Sequence, residues 1–440
     1  MIKRFIRRVL GLSANHIERV PREKHGLSRD ALSPAASKVC AVLREAGFSG
    51  YVVGGAVRDL LLGIVPKDFD VATEARPEQV KPLFRRALII GRRFRLVHVM
   101  MGAETVEVST FRAADPDTAE KDEHGRVLRD NVFGTQAEDA RRRDFTVNAL
   151  YFDPATEEVV DFHGGLTDLK KRLMRVIGDP ATRYREDPVR MLRGVRLAAK
   201  LGLTLDPATR EPIRSLAPLM ERVPPARLFD EMLKLLLSGH ASACLRQLRE
   251  VGLHKGLLPL LDVILEQPLG ERFVTLALAQ TDERVLAERP VSPAFLFAAL
   301  LWHEVLAAWR AHEARGERSV PALEHAMDEV LDTQCAMLAI TRKLTATMRE
   351  VWSMQPRFEM RAGQRPYRLI ESPRFRMAYD FLALRAASGE VPADIEAWWR
   401  AFYGADADTR KAMLLPETGA RKRRRRRRKK RPAAPTPSPA

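Results

Sequence analysis

The tripeptide Asp68-Phe69-Asp70 is the feature that most constrains the fold of this chain. Residues two apart in a strand point to the same face, so the two carboxylates would lie about 7 Å apart at Cα, with Phe69 pointing into a core. Carboxylates this close repel one another unless a cation lies between them. The pair suits two Mg²⁺ ions about 3.5–4 Å apart. Taken alone, the same pattern is also typical of acidic turns and surface acids.

A glycine pair precedes this tripeptide in a suitable context. Gly54-Gly55 lies between a short apolar stretch, Tyr51-Val52-Val53, and a helical pattern that carries Arg58 in its first turn. Glycines at such a junction let backbone N–H groups approach a phosphate, and the helix N-terminus adds partial positive charge. We therefore expect a phosphate-binding turn here. An ordinary junction between a strand and a helix is the alternative.

Glu107 is the natural third carboxylate. It lies in a strand-like segment of the chain, with Val106 and Val108 facing away from it. Together with the two aspartates it predicts a metal site. The alternative is that Glu107 is a solvated acid on a strand surface.

The pattern along the 440 residues changes near Gly165, from mixed strands and helices to helices alone. We expect an α+β fold, with a small head built on a mixed sheet and a larger all-α region after it. The polar stretch 113–135 predicts a long loop, of the kind that often forms a lid. The expected parts are a flexible basic N-terminal extension at 1–33, the head at 34–165, a helical neck at 166–237, a helical body at 238–412 and a disordered basic tail at 413–440.

Positive charge is concentrated near one end of the chain. Lys and Arg number 74 against 57 Asp and Glu, and eleven of the bases form the unbroken run 421–431. Such a run binds polyanions, so we expect RNA contact from Arg421, Lys422 and Arg423, with a solubilising or protein-contact segment as the alternative. The remaining bases exceed the acids by only six. With 45% hydrophobic and 30% charged residues, the chain is neither collagen-like nor wholly disordered.

The cysteines and the N-terminus predict a reducing, cytoplasmic location. Cys40, Cys244 and Cys335 lie far apart and form no Cys/His cluster, so neither a disulfide framework nor a zinc site is suggested. The sequence contains no uninterrupted apolar run of about 18 residues, so no transmembrane helix is expected. Residues 1–12 place their apolar side chains on one helical stripe, so weak contact with a membrane surface is the alternative to a frayed basic arm.

The order of these motifs resembles that of the class II nucleotidyltransferases, which comprise the bacterial poly(A) polymerases and the CCA-adding enzymes of tRNA. The resemblance covers about residues 51–205 and weakens beyond about 240. The stretches that carry it read GGAVRDLLLG, DFD, EVSTFR, RRRDFTVNALYFD and YREDPVRMLRGVRLAAKLG. A further stretch, GRRFRLVHV at 91–99, resembles the poly(A) polymerase subgroup. The family implies a head similar to that of polymerase beta.

The resemblance also implies roles for particular residues. Asp68, Asp70 and Glu107 would hold two Mg²⁺ ions, with Glu107 helping to bind the ion that activates the primer hydroxyl. Contacts to ATP are implied for a larger set: Gly54, Gly55, Arg58, Arg142, Arg143, Asp144, Asn148, Asp187, Arg190 and Arg193.

Asp187 and Arg190 match the family element that reads the base. A guanidinium donates to a ring nitrogen and a carboxylate accepts from an exocyclic amine. Two such groups three residues apart on one helix face could therefore read N1 and N6 of adenine without a template. Capping of a helix by Asp187, which precedes Pro188, is the alternative.

The expected activity is template-independent transfer of AMP from ATP to RNA 3′-hydroxyl ends, with release of pyrophosphate, feeding RNA turnover. Arg92, Arg93 and Arg95 would hold the RNA backbone or the triphosphate, unless they are only the charged outer residues of a strand. RNA 3′ ends and RNA-decay proteins are the expected partners, with no DNA specificity. The alternatives are a CCA-adding tRNA nucleotidyltransferase and a non-catalytic RNA-binding protein.

Overall fold

The computed structural model describes residues 17–91, 95–113, 120–121, 127–129, 132–253 and 268–416. They form two compact units. The first comprises the described residues up to 253, together with Leu278–Val291 and Thr333–Ile340. The second comprises residues 268–277, Ser292–Asp332 and 341–416.

The head is built on a mixed sheet, as the sequence predicted. The strands of the described residues are β1 Glu18–Val20, β2 Tyr51–Val53, β3 Asp70–Thr73, β4 Ala87–Ile90, β5 Leu96–Met101, β6 Glu104–Thr110, β7 Glu120–Lys121, β8 Val127–Arg129, β9 Leu150–Asp153, β10 Glu158–Asp161, β11 Leu173–Met174 and β12 Thr204–Leu205. Eight of them form one sheet in the order β1-β10-β9-β2-β3-β6-β5-β4. Within it β3 and β6 are parallel, whereas the other neighbours are antiparallel.

Helices make up most of the described chain after the head. They are α1 Arg22–His25, α2 Pro34–Glu45, α3 Gly55–Leu61, α4 Pro77–Val80, α5 Gln136–Arg142, α6 Gly165–Lys170, α7 Pro180–Glu186, α8 Val189–Leu201, α9 Pro207–Arg210, α10 Ile213–Leu216, α11 Pro225–Leu236, α12 Ala241–Val251, α13 Pro268–Leu286, α14 Pro293–Ala314, α15 Ser319–Met337, α16 Arg342–Met354, α17 Arg365–Ile370, α18 Phe375–Ser388, α19 Ala393–Gly404 and α20 Ala407–Met413. The expected α+β class is therefore confirmed.

Residues 18–33, which were expected to be part of a flexible extension, belong instead to the head. β1 pairs with β10 from Glu18 opposite Asp161 to Val20 opposite Val159. The Val20 side chain is buried. A strand of three residues carries little signal of its own, and this one forms because β10 supplies its hydrogen-bond partners.

The boundary expected between neck and body at residue 238 does not coincide with the limit of the first unit, which also contains α12. α12 packs on α8 and on α11, and Cys244 and Leu248 on it are buried. At its start, the N–H groups of Ala241 and Ser242 donate to the carboxylate of Asp282 at 2.7 and 3.0 Å. The first unit continues past the neck because α12 buries its apolar face against α8.

The loop expected over 113–135 contains a small antiparallel hairpin, formed by β7 and β8. The segment then leads into α5, where the Thr135 hydroxyl accepts a hydrogen bond from the Glu138 N–H at 3.3 Å. This contact caps the helix and gives its start a defined position.

The second unit is centred on α14. Trp302 on this helix is fully buried and donates through Nε1 to Glu390 at 2.9 Å, and Trp352 on α16 donates to the Ala298 carbonyl at 3.1 Å. By length and apolar composition α14 could cross a membrane, but most of its apolar stretch is buried inside the unit. Such burial is typical of the core helix of a globular unit.

Candidate active site

The three predicted carboxylates lie near one another where β3 begins, beside β6 in the interior of the head sheet. Asp70 is the first residue of β3, and the parallel register sets it directly opposite Glu107 on β6. Asp68 precedes the strand by two residues, and both aspartates are exposed while Phe69 between them is buried. The alternation expected from the sequence is therefore confirmed.

His98 joins these carboxylates, although the sequence analysis did not select it. It lies on β5 opposite Glu107, and its Nε2 is 3.1 Å from Glu107 Oε1. The signal that could have identified it is the alternation of side chains along a strand, because His98 and Glu107 each lie between two buried valines. The histidine ring restricts the orientation of the third carboxylate.

Asp70 lies in a strongly acidic environment. Crowding by protein atoms, followed by the charge of Glu107 and then that of Asp68, raises the pKa of Asp70 to about 6, against the opposing effect of Arg143. Part of the residue nevertheless remains exposed to solvent. A divalent cation at this position would offset the repulsion.

The glycine turn has the backbone that only glycine adopts readily. Gly54 has φ +75° and ψ −125°, and its N–H donates to the Leu150 carbonyl at 3.2 Å. A Cβ at this position would lie 3.2 Å from Nη1 of Arg143 and would also be strained by the positive φ. Gly54 thus allows a guanidinium to lie against the turn that begins α3.

Arg143 is held in this place by the head core. Its Nε and Nη2 donate to Asp139 Oδ2 at 3.3 and 3.1 Å, and its Nε also donates to the Tyr151 hydroxyl at 3.0 Å. Burial alone would lower the pKa of Arg143, but Tyr151 and Asp139 hold it above the ordinary arginine value. The guanidinium is a permanent positive charge beside Gly54.

A chain of buried polar contacts connects most of the other predicted nucleotide residues. Arg58 donates to Asp59 Oδ1 at 2.6 and 2.8 Å and to Asn148 Oδ1 at 2.5 Å. Asn148 donates in turn to Asp144 Oδ1 at 3.0 Å, and Asp144 Oδ2 lies 3.0 Å from Arg193. Burial would raise the pKa of Asp144. The charge of Arg193 and the hydrogen bonds that the Asp144 carboxylate accepts from Asn148 and the Phe145 N–H hold that pKa below its ordinary range. The chain joins α3 to α8.

Arg183 is a further residue that the sequence analysis missed. Its Nη2 donates to the carbonyl oxygens of Arg142 and Arg143 at 2.8 and 2.9 Å. The Arg142 side chain donates to the Ala113 carbonyl at 3.0 Å. Arg183 therefore fixes α7 to the segment that carries the predicted triphosphate contacts.

Asp187 and Arg190 do not share a helix face, because α8 begins only at Val189. Asp187 Oδ2 lies 2.7 Å from Arg227 Nη2, and its Oδ1 accepts from the Val189 N–H at 3.3 Å. Arg190 Nη1 lies 3.0 Å from Glu186 Oε2. Both side chains are near the start of α8, but each has a different partner.

Comparison with known proteins settles the family. Three family descriptions match the chain: "Poly A polymerase head domain" at residues 50–175, "Probable RNA and SrmB-binding site of polymerase A" at 202–265, and "Polymerase A arginine-rich C-terminus" at 315–432. The chain is 45% identical to Poly(A) polymerase I of Salmonella typhi over 411 residues, which are 91% of this chain and 88% of that protein. The chain belongs to the poly(A) polymerase family.

As a member of the poly(A) polymerase family, the protein is a polynucleotide adenylyltransferase that acts on RNA 3′ ends, as the sequence predicted. The likeness to CCA-adding enzymes is more limited in sequence. The CCA-adding enzyme of Streptococcus pneumoniae (strain CGSP14) is 41% identical over 203 residues, which are 46% of this chain and 50% of that protein.

The solved structure of the Bacillus stearothermophilus CCA-adding enzyme in complex with CTP shares the fold of this poly(A) polymerase chain. The TM-score is 0.58 at 26% identity, over 84% of this chain and 82% of that one. The nucleotidyltransferase head that the sequence predicted is therefore confirmed.

The three carboxylates of this poly(A) polymerase chain suit a pair of Mg²⁺ ions. All three donors are carboxylate oxygens, which Mg²⁺ prefers as ligands. Asp70 lies opposite Glu107, and Asp68 is close enough for its charge to raise the pKa of Asp70, so the three carboxylates could share bound cations.

Of the predicted RNA contacts in this poly(A) polymerase chain, only Arg95 lies within the described residues. Its Nη1 forms an ion pair with Glu78. The others lie outside the described residues: Arg92, Arg93, Arg421, Lys422 and Arg423. Their contact with RNA stays a prediction.

Proposed function

We propose that the chain transfers AMP to RNA 3′-hydroxyl ends by two-metal catalysis, with Asp68, Asp70 and Glu107 as the ligands. The observation that carries this proposal is the parallel register that sets Asp70 opposite Glu107. When bound, Mg²⁺ would lower the pKa of the attacking hydroxyl and stabilise the charge that develops on the phosphoryl and pyrophosphate oxygens.

The protein's own groups would position ATP around that centre. Gly54 lets the backbone approach a phosphate at the turn where the Arg143 guanidinium lies, so a triphosphate would meet N–H donors and a positive charge together. Arg58, Asn148, Asp144 and Arg193 would hold the nucleotide in a defined position, because the hydrogen bonds and the ion pair among them leave their side chains little freedom to rotate. His98 would keep Glu107 oriented toward the metal side.

We assign base recognition to the start of α8. Arg190 would exchange its contact with Glu186 for N1 of adenine, and Asp187 would accept from N6 while Arg227 holds it in place. The exposed fractions of the two side chains support this assignment: 14% for Arg190 and 19% for Asp187. Each side chain is accessible to a base, and the surrounding residues limit the positions that it can adopt.

The RNA strand would also contact the second unit, where a cleft of about 350 Å³ has suitable chemistry. Its lining includes three arginines, one acid and several apolar side chains: Arg357, Arg365, Arg368, Glu324, Val320, Met327, Met360 and Leu369. None of the three arginines forms a side-chain hydrogen bond or ion pair with another described residue. Unpaired guanidinium groups beside an apolar wall match the phosphates and bases of a single strand.

A primer-extension assay tests the proposal. A labelled RNA with a free 3′-hydroxyl is incubated with Mg²⁺ and each of the four NTPs singly, then with ATP and CTP together. We expect a long ladder with ATP alone and little extension with CTP. Addition of two cytidines and one adenosine only to a tRNA acceptor end would indicate a CCA-adding enzyme, and no extension at all would indicate a non-catalytic RNA-binding protein.

The metal assignment has its own test. Asp68→Ala and Asp70→Ala should each abolish transfer while the circular dichroism of the protein stays unchanged. Substantial activity in both purified variants would contradict the assignment.

We also propose a cytoplasmic location and contact with RNA-decay proteins. All three cysteines are free, which supports a reducing, cytoplasmic compartment. Contact with a protein partner is supported by the family description "Probable RNA and SrmB-binding site of polymerase A" over residues 202–265. Membrane contact by residues 1–12, which lie outside the described residues, would be tested by co-sedimentation with vesicles before and after removal of that segment.

A further inference from the structure

Two histidines and a glutamate meet where α14 leads into α15. His312 lies in the last turn of α14, Glu317 in the connection and His325 in α15. Nδ1 of His312 is 2.7 Å from Glu317 Oε1, and Nδ1 of His325 is 2.7 Å from Glu317 Oε2. One candidate ligand atom from each residue lies within 4.8 Å of the others. A single carboxylate therefore bridges two imidazole rings within the second unit.

A second carboxylate restricts the ring of His312 from the other side. Oε2 of Glu329 is 3.4 Å from Nε2, the ring nitrogen that faces away from Glu317. Histidines that bind a metal almost always donate their other N–H to a carboxylate or carbonyl, which fixes the tautomer and the ring orientation. Binding of a cation requires His312 Nδ1 to be the unprotonated ring nitrogen, with Nε2–H directed to Glu329. The hydrogen-bond contact of 2.7 Å between Nδ1 and Glu317 Oε1 would then be replaced by a bond from each of the two groups to the cation.

We propose that His312, Glu317 and His325 bind one Zn²⁺ ion through Nδ1, a carboxylate oxygen and Nδ1. Two imidazole nitrogens and one carboxylate oxygen form a donor set found in zinc sites with an open fourth position. Mg²⁺ prefers oxygen ligands alone, so the site is chemically distinct from the three carboxylates of the head. The ion would fix the end of α14 to α15.

Burial and access are suitable for this ion. The His312 side chain is 13% exposed, so its position is well determined by packing, whereas that of His325 is 60% exposed. Because the His325 ring is exposed, it is able to turn, as binding of zinc at the usual Zn–N distance of about 2.0–2.1 Å requires. The sequence suggested no zinc site because its cysteines are dispersed. The two histidines and the glutamate come together only when α14 and α15 pack as a helical hairpin.

Titration of Zn²⁺ into the full chain by calorimetry tests this proposal. Excess Mg²⁺ is present throughout, so that the head carboxylates compete poorly for zinc. We expect the unmodified protein to bind one equivalent more than His325→Ala and one more than Glu317→Gln. Glu329→Gln should weaken the binding about tenfold. Glu313→Gln and Glu324→Gln, which remove other acids from the same two helices, are the matched controls and should retain the equivalent.

Two further measurements make the result decisive. Circular dichroism melting in the absence of zinc establishes that each variant folds, and equal zinc stoichiometry and affinity in the unmodified protein and the folded variants would overturn the proposal. X-ray absorption at the zinc edge of the loaded protein should show two imidazole nitrogens. A shell of oxygen ligands without imidazole would overturn the proposal even if a variant failed to fold.

Discussion

At the scale of single residues, the head holds carboxylates closer together than their charges favour. The first residue of β3, Asp70, faces Glu107 across the sheet, and its pKa is raised to about 6. Such an arrangement is typical of an active site, where local instability is retained because the chemistry requires it. The cost should be measurable in the protein without metal.

Replacing Asp70 by asparagine should stabilise the metal-free protein while abolishing transfer. The pKa of Asp70 is higher in the folded chain than its ordinary value of 3.8, so the folded state binds the proton more tightly and its stability falls as pH rises from about 4 to about 6. Because the residue is partly exposed, we expect Asp70→Asn to raise the free energy of unfolding at pH 7 by at most about 1 kcal/mol. Urea unfolding without Mg²⁺ measures this difference, and a less stable variant would contradict it.

His98 should act through Glu107 rather than on the substrate. Loss of its contact at 3.1 Å in His98→Ala should weaken the apparent Mg²⁺ affinity about tenfold, with a smaller effect on the rate at saturating Mg²⁺. His98→Gln keeps an N–H donor and should recover part of that affinity. His240→Ala, a histidine in the first unit outside the carboxylate group, is the control. The same Mg²⁺ dependence in His98→Ala and in the unmodified protein would refute the positioning role.

At the scale of elements, the outcome of sequence-based prediction depended on whether an element carries its own pattern. The apolar stretch Tyr51-Val52-Val53 forms β2 and the helical pattern after Gly54-Gly55 forms α3, since each has a regular apolar pattern that begins or ends at the glycine pair. β9 was missed because all four of its residues are buried, which removes the alternation that marks a strand. β1 was missed because its pairing partner, β10, lies far along the chain.

The ion pair between Asp144 and Arg193 should stabilise the attachment of α8 to the head. The Asp144 side chain is 9% exposed and that of Arg193 is 37% exposed, so breaking the pair should cost less than for a fully buried one. We expect Asp144→Asn or Arg193→Met to lower the free energy of unfolding by about 2 kcal/mol each, and the double variant to lose less than the sum. Urea unfolding of the two single variants and the double variant completes a double-mutant cycle. Strict additivity of the losses in free energy of unfolding would show that the two groups do not interact.

The arginines of the cleft in the second unit should contribute to RNA binding as a group. Replacing Arg357, Arg365 and Arg368 together by alanine should weaken binding of single-stranded RNA and make the salt slope of log affinity less negative by up to about 2. Arg376→Ala with Arg400→Ala is the matched control, since both of these arginines lie in the same unit and pair with acids four residues away. An unchanged affinity and slope in the triple variant would exclude the cleft.

At the scale of the whole molecule, the basic run should dominate the electrostatics of RNA binding. If about half of its eleven bases each neutralise a phosphate, removal of residues 417–440 should make the salt slope less negative by about 4. Removal of residues 432–440 alone, which leaves the run in place, is the control. Filter binding of RNA over a range of salt concentrations measures both, and equal slopes would assign the run to another partner.

The sequence by itself indicated the chemistry of this protein, because a residue type and its local spacing suffice to define a pair of aspartates at the start of a strand, a glycine turn and a basic run. Asp68, Asp70 and Gly54 could therefore be selected as candidate site residues without coordinates. Only the tertiary structure decided which distant residues meet them. His98 reaches Glu107 through the pairing of β5 with β6, and Asp187 pairs with Arg227 from another helix. The bridging of His312 and His325 by Glu317 likewise follows from the hairpin of α14 and α15. Such contacts depend on strand register and helix packing, which are set by burial summed over the whole chain and leave little trace in any short stretch of it.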